Sequence, residues 1–410
     1  MVIDTNVFKA LDNRSLKNFF ENKGINIQRK IEEYSIDGTI KGYELDLLDN
    51  LFSHGFIKIN EVEQFLSEEF NYGRAKNVYI EFIENIKSRD ISEILSRINS
   101  LEIKGYKNAS KVNSNYFIYE IRKAIEIGGK YLIESKIDIN NGIVSNIRLL
   151  LGEGISIEIS GRSNNYYSVD IDLEKKILAL RMINWNEKVV KDKLPDNQYE
   201  DIFKLVKKTF RIEANSYQKE NQKIVYNLVN DLTLKVLNDT MVNVNEKVKE
   251  DIERSVKRWG KKVLENKNKL TNSDITVLTQ TILNNYYRIS MTSQHKTLSP
   301  KILKEVYKVQ AYPRQVKFFD ETAGEGRARS SDVCESVLDT SVFYDIKVRL
   351  DKEKNIKNTI IYWMSCIGQE NFGTVIHLEN QNRFKIIFYS SRINKEKFDY
   401  VLQEINGYRK

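Results

Sequence analysis

The sequence predicts an α+β chain: a helical N-terminal unit, an antiparallel β-meander, a helical block, then a second β-meander with a closing helix. Two observations carry the prediction. Apolar residues of positions 9–100 recur three and four apart, and from about Gly128 the period changes to two. Both periods then return in the same order further along. At 410 residues the chain also exceeds what one hydrophobic core usually supports, so more than one folding unit is expected.

In the first unit, residues 1–105, the segments SLKNFFENKGI, GYELDLLDNLFS and KINEVEQFLSEEF read as helices punctuated by Gly24, Gly42, Gly55 and Gly73. His54, just before Gly55, is placed to cap a helix C-terminus. The stretch GYKNASKVNSN marks a boundary, and YEIRKAIEI reads as a helix. The second unit, 116–212, holds strand-sized runs YLIESKIDI, IVSNIRLLL, ISIEIS, YYSVDIDL and ILALRMI, separated by turn residues such as Asn-Gly. In YYSVDIDL, Tyr167, Val169, Ile171 and Leu173 are expected on a buried face, with Ser168, Asp170 and Asp172 on a wet one.

A helical block follows over 213–310, with Val244, Val248, Ile252 and Val256 every four residues and Trp259 and Val263 extending the stripe. The last unit, 311–410, opens with an irregular stretch from Pro313 to about Ser336. VFYDIKVRL, NTIIYWM, FGTVIHL and RFKIIFYS then read as strands and NKEKFDYVLQEI as the closing helix.

Composition narrows the function classes. No apolar run approaches the roughly 18 residues of a spanning helix, so membrane insertion is not expected. Cys334 and Cys366 have no metal-ligand spacing, and the N-terminus lacks a signal-peptide pattern, so both read as reduced thiols of a cytoplasmic protein. His54, His295 and His377 are too scattered for a histidine metal site, and no G-x-S-x-G is present. The formal charge of +8 is unevenly spread: residues 1–95 hold 12 basic and 17 acidic side chains, leaving the excess of positive charge to the remainder.

Two carboxylate groupings are candidates for catalysis. Glu134 and Lys136 form an E-x-K string, in which a carboxylate holds a metal and a lysine polarises phosphate or water. Asp170 and Asp172, at i and i+2 on a strand, share a face and have the oxygen chemistry that Mg²⁺ prefers. Both patterns are also what a solvated strand face looks like. No cofactor is expected unless the chain is a metal-dependent nuclease.

The opening VIDTNVF resembles the first strand of PIN-domain nucleases, in which an aspartate at the position of Asp4 helps hold a divalent metal. The resemblance covers only this short segment. A capped helix start using Asp4 or Thr5 suits the helical context that follows better.

Nucleic-acid contact is the leading expectation, in a component of a bacterial or mobile-element system that works with partner proteins. Arg254, Lys257, Arg258, Lys261, Lys262, Lys267 and Lys269 crowd a segment, 254–269, that holds one acid, Glu265. In the irregular stretch, Gly324 and Gly326 allow close backbone approach, while Arg327 and Arg329 are phosphate-binding side chains. A helix–turn–helix can be drawn from Lys58 to Ile86 with Arg74, Lys76 and Asn77 opening the second helix, but its glutamates would repel phosphate. The acidic N-terminal unit is therefore expected to contact protein. A metal-dependent nuclease and a non-catalytic scaffold are the alternatives.

Overall fold

In a computed structural model the chain forms the mixed α+β architecture expected, divided into two compact units. Unit 1 comprises Met1–Ser216 with Lys385–Asp399, and unit 2 comprises Tyr217–Phe384 with Tyr400–Lys410. The structure describes residues 11–409 apart from 12, 41, 100–105, 109–125, 158–160, 184–194, 243–245, 264–269, 296, 320–323, 333–334, 365–369, 380–382 and 391. Asp4, the boundary loop at 109–115 and the two cysteines thus lie outside the described residues, as does most of YEIRKAIEI. Among the described residues no helix is long and apolar enough to cross a membrane.

Unit 1 begins with helices α1 (Asn13–Asn22), α2 (Ile27–Glu33), α3 (Tyr43–Ser53) and α4 (Ile59–Glu68), the last continued by a π-helical turn over Glu69–Gly73. Local chemistry sets their ends. The Asn26 side chain accepts from the Arg29 amide, Glu61 accepts from the Lys58 amide, and the His54 ring meets the Asn50 carbonyl at 2.8 Å. His54 closes α3 as expected.

The helix–turn–helix that can be drawn from Lys58 to Ile86 does not form. Residues Asn77–Ile86 are a strand, β1, because Val78, Tyr79, Ile80, Phe82 and Ile83 make the near-continuous apolar run of a strand buried on both faces. Helix α5 (Ile91–Asn99) and the short β2 (Tyr106–Asn108) lead to the meander: β3 (Lys130–Asn140), β4 (Ile143–Ile157), β5 (Gly161–Asp172) and β6 (Ile177–Met182). The β3–β4 turn is Asn141-Gly142 with φ of 52° and 77°, the left-handed pair that matches a two-residue hairpin. Helix α6 (Pro195–Phe210) and strand β7 (Ile212–Asn215) complete this stretch. β3 to β6 pair antiparallel in sequence order, β2 pairs parallel with β3, and β1 pairs with β6 and β7. The late strand β12 (Phe384–Tyr389), in unit 1 from Lys385 on, lies beside β1.

One face of this sheet is an apolar core, with Leu149, Val169, Leu180 and Met182 against Ile94 and Ile98 of α5 and Phe203 and Val206 of α6. The other face carries the N-terminal helices, with Leu150 and Tyr166 against Leu47, Leu51, Phe65 and Phe70. The second face is therefore not wet at Ser168 (0% exposed) or Asp170 (8% exposed), contrary to expectation. Strand alternation reports two faces but not what covers the polar one.

Unit 2 contains α7 (Gln218–Val242), α8 (Glu246–Val263), α9 (Asn272–Gln294) and α10 (Pro300–Glu305), then strands β8 (Ala311–Phe319) and β9 (Glu325–Arg329). Two expectations change here. The irregular stretch is largely a hairpin, with β8 and β9 antiparallel and Pro313 accommodated at a shift in the β8–β10 register. VFYDIKVRL is not a strand but part of helix α11 (Ser341–Glu353), whose buried Phe343, Tyr344, Lys347 and Leu350 follow the helical period. Strands β10 (Asn358–Trp363) and β11 (Phe372–His377) extend the sheet in the order β11-β10-β8-β9, and α12 (Lys395–Gly407) closes the chain.

Candidate nucleic-acid interface

The carboxylates singled out in the sequence do share one face of unit 1. Register places Glu134, Leu150, Ser168 and Arg181 in one row across β3 to β6, and Lys136, Arg148, Asp170 and Ala179 in the next. Each carboxylate is already engaged. Glu134 accepts from Ser67 Oγ at 2.8 Å and Asn71 Nδ2 at 3.1 Å, and Lys136 Nζ lies 2.8 Å from its other oxygen. Asp170 sits between Arg148, whose Nε donates at 2.9 Å, and Arg181. Burial alone would raise the Asp170 carboxyl; the Arg181 and Arg148 charges outweigh it and hold it below the usual carboxylate range. Asp172 accepts from the Glu174 and Lys175 amides and shapes the turn after β5.

Arg181, which sequence reasoning passed over, is the centre of this cluster. Its guanidinium is fully buried, lies 4.2 Å from the ring centroids of both Tyr72 and Phe398, and donates to the Asn71 carbonyl at 2.8 Å and to Ser168 Oγ at 2.6 Å. The π-helical turn makes this possible by bringing Asn71 and Tyr72 onto the sheet. A divalent metal needs carboxylate oxygens turned toward it, whereas these oxygens face two guanidinium groups and an ammonium. Among the described residues no group of three or more His, Cys, Asp or Glu is placed to hold a metal ion. The residues present do not fit a Mg²⁺ site, and the cluster is built to fix the N-terminal helices on the sheet.

The cationic candidates all fall in unit 2, which holds 29 basic and 22 acidic residues against 36 and 35 in unit 1. On α8 they divide into two groups. Arg254 pairs with Asp251 at 3.2 Å and Glu250 at 3.6 Å, and Lys257 pairs with Glu253 at 2.7 Å. Arg258, Lys261 and Lys262 are exposed and have no carboxylate partner among the described residues. At about 100° per residue these three fall within roughly 100° of arc, on the side of α8 opposite Val256 and Gly260. Lys267, Lys269 and Glu265 lie outside the described residues.

The other cationic candidates, Arg327 and Arg329, are on β9 rather than in a loop. Arg327 and Arg329 are exposed and point to the same sheet face as Gln315 and Lys317. Arg327 begins a polar chain across four strands: it donates to Gln315 Oε1 at 2.8 Å, Gln315 Nε2 donates to Asn358 Oδ1 at 2.7 Å, and Asn358 Nδ2 meets His377 Nδ1 at 2.7 Å. Gly326 is required here because a Cβ would lie 2.3 Å from the buried Phe318 ring. The arginines are thus carried on a hairpin strand packed closely against Phe318.

The chain matches no protein-family model, no curated protein and no solved structure.

Proposed function

We propose that this chain binds the phosphate backbone of a nucleic acid through unit 2, with α8 as the main contact and the β9 arginines as a second. The observation that carries the reading is the sorting of charge on α8: Arg258, Lys261 and Lys262 are exposed and have no carboxylate partner among the described residues, while the cations one turn earlier are neutralised. Cations near a helix C-terminus also suit the helix dipole, which holds them there without consuming their charge. Backbone contacts position a protein without reading bases, so the reading implies affinity with little sequence preference.

The test is fluorescence anisotropy with labelled duplexes of unrelated sequence, comparing the wild type with the triple variant Arg258→Gln, Lys261→Gln, Lys262→Gln. Glutamine keeps helix propensity and polarity while removing the charges. The variant is expected to lose affinity for every sequence alike. Equal affinity of the two proteins would refute the reading.

A further inference from the structure

Helix α8 has a second face, and it is apolar. Val256 and Gly260, with Trp259 at their edge, form with Leu270 and with Leu278, Thr281 and Ile282 of α9 a slot of about 350 Å³ lined by no exposed polar surface. Trp259 itself is 68% exposed, the most exposed large apolar side chain among the described residues. The apolar surface continues along α9 through Leu278, Ile282, Tyr286 and Ile289, 40–58% exposed, which fall within roughly 80° of helical arc. No described residue covers this face.

We propose that this face is a two-fold interface between two copies of the chain, with Trp259 of each copy entering the slot of the other. Three features favour a second copy over a different partner. A protruding ring and a hollow stand side by side on one surface, and a two-fold axis matches one to the other twice, as an isologous interface requires. Between Ile275 and Tyr287, α9 carries no charged residue, so apposing this stretch of α9 with itself brings no like charges together. The exposed fractions of Trp259, Val248, Leu278, Ile282, Tyr286 and Ile289 amount to on the order of 600 Å² per copy, at the lower end of the ~600–1,000 Å² per partner of a stable interface. Arg258 and Lys261 point away from the slot and stay free in the dimer, while Lys262 stands one turn from Trp259 at the rim. The inference goes beyond the nucleic-acid reading and does not depend on it.

Sedimentation velocity on the full chain without nucleic acid, from about 1 to 100 µM, tests the proposal. The wild type is expected to sediment as a dimer. Trp259→Ala and, separately, Ile282→Glu are expected to raise the dissociation constant on the order of a hundredfold, as loss of an interface anchor does. Trp259 is exposed and Ile282 partly so, and an unchanged circular dichroism spectrum will show that the fold is kept. A wild type that stays monomeric at 100 µM overturns the proposal. So does a dimer that neither substitution weakens, or growth into open-ended assemblies, which a closed two-fold contact forbids.

Discussion

Replacing Arg181 with methionine is predicted to destabilise unit 1 by about 3–5 kcal/mol, the usual cost of removing one partner from a buried ion pair. The structure supports a value toward the lower end. Methionine keeps the length and packs against Tyr72 and Phe398, and Asp170 retains Arg148 at 2.9 Å. What is lost is the Asp170 pair, both donated hydrogen bonds and the cation held between two rings. Amide hydrogen exchange at β5 and β6 reads unit 1 by itself, and protection there should fall by a factor of about a hundred to several thousand. Asp170→Asn should cost less in the Arg181→Met background than by itself, since one of the two pairs of Asp170 is already gone there. A change below tenfold in the single variant would refute the idea that the cluster holds the helices to the sheet.

Three further outcomes are expected. Asp170→Asn should destabilise the protein at pH 7. Because the folded Asp170 carboxyl lies below its unfolded value, its contribution is complete above about pH 4 and vanishes as pH falls through the folded pKa. The melting-temperature gap to wild type should therefore close in acid, and a gap independent of pH would contradict the pairing. Asp399, whose carboxyl is pushed up first by burial and also by the Asp170 charge, is replaced by Asn in both proteins so that it does not enter the comparison. Gly326→Val should cost about 1–3 kcal/mol by overpacking against Phe318, read as a lower melting temperature, and an unchanged melt would show that the hairpin yields. Residues 1–95 expressed alone should lack the cooperative melt of a folded domain, because β1 would lose β6, β7 and β12; a sharp transition would show that the helices fold by themselves.

The meander of unit 1 was legible because its turns state their geometry: Asn141-Gly142 supplies two left-handed residues and Asp172 accepts from the amides two and three residues on. β1 was hidden because a strand buried on both faces shows no alternation, and glutamates at its end resemble those of the preceding helix. α11 was misread through its β-branched and aromatic composition, although Tyr344, Lys347 and Leu350 are spaced for a helix. Arg181 carries no local signal at all, since its partners Tyr72, Ser168, Asp170 and Phe398 come from distant parts of the chain. The cationic stretch was visible, but a window opened at Arg254 left out Glu250, Asp251 and Glu253, the acids that neutralise its first turn. Arg327 and Arg329 looked like loop residues because Gly324 and Gly326 stand beside them; Gly326 instead serves close packing within a hairpin.

The proposed contact of Arg258, Lys261 and Lys262 of α8 with phosphate is tested most directly by the salt dependence of duplex binding. Each neutralised phosphate contributes about −0.9 to the slope of log K against log salt. The slope of the Arg258→Gln, Lys261→Gln, Lys262→Gln variant should thus be shallower than that of the wild type by about 2.7, with the same melting temperature to within a few degrees. Parallel lines for the two proteins would contradict the account, whatever their absolute affinities.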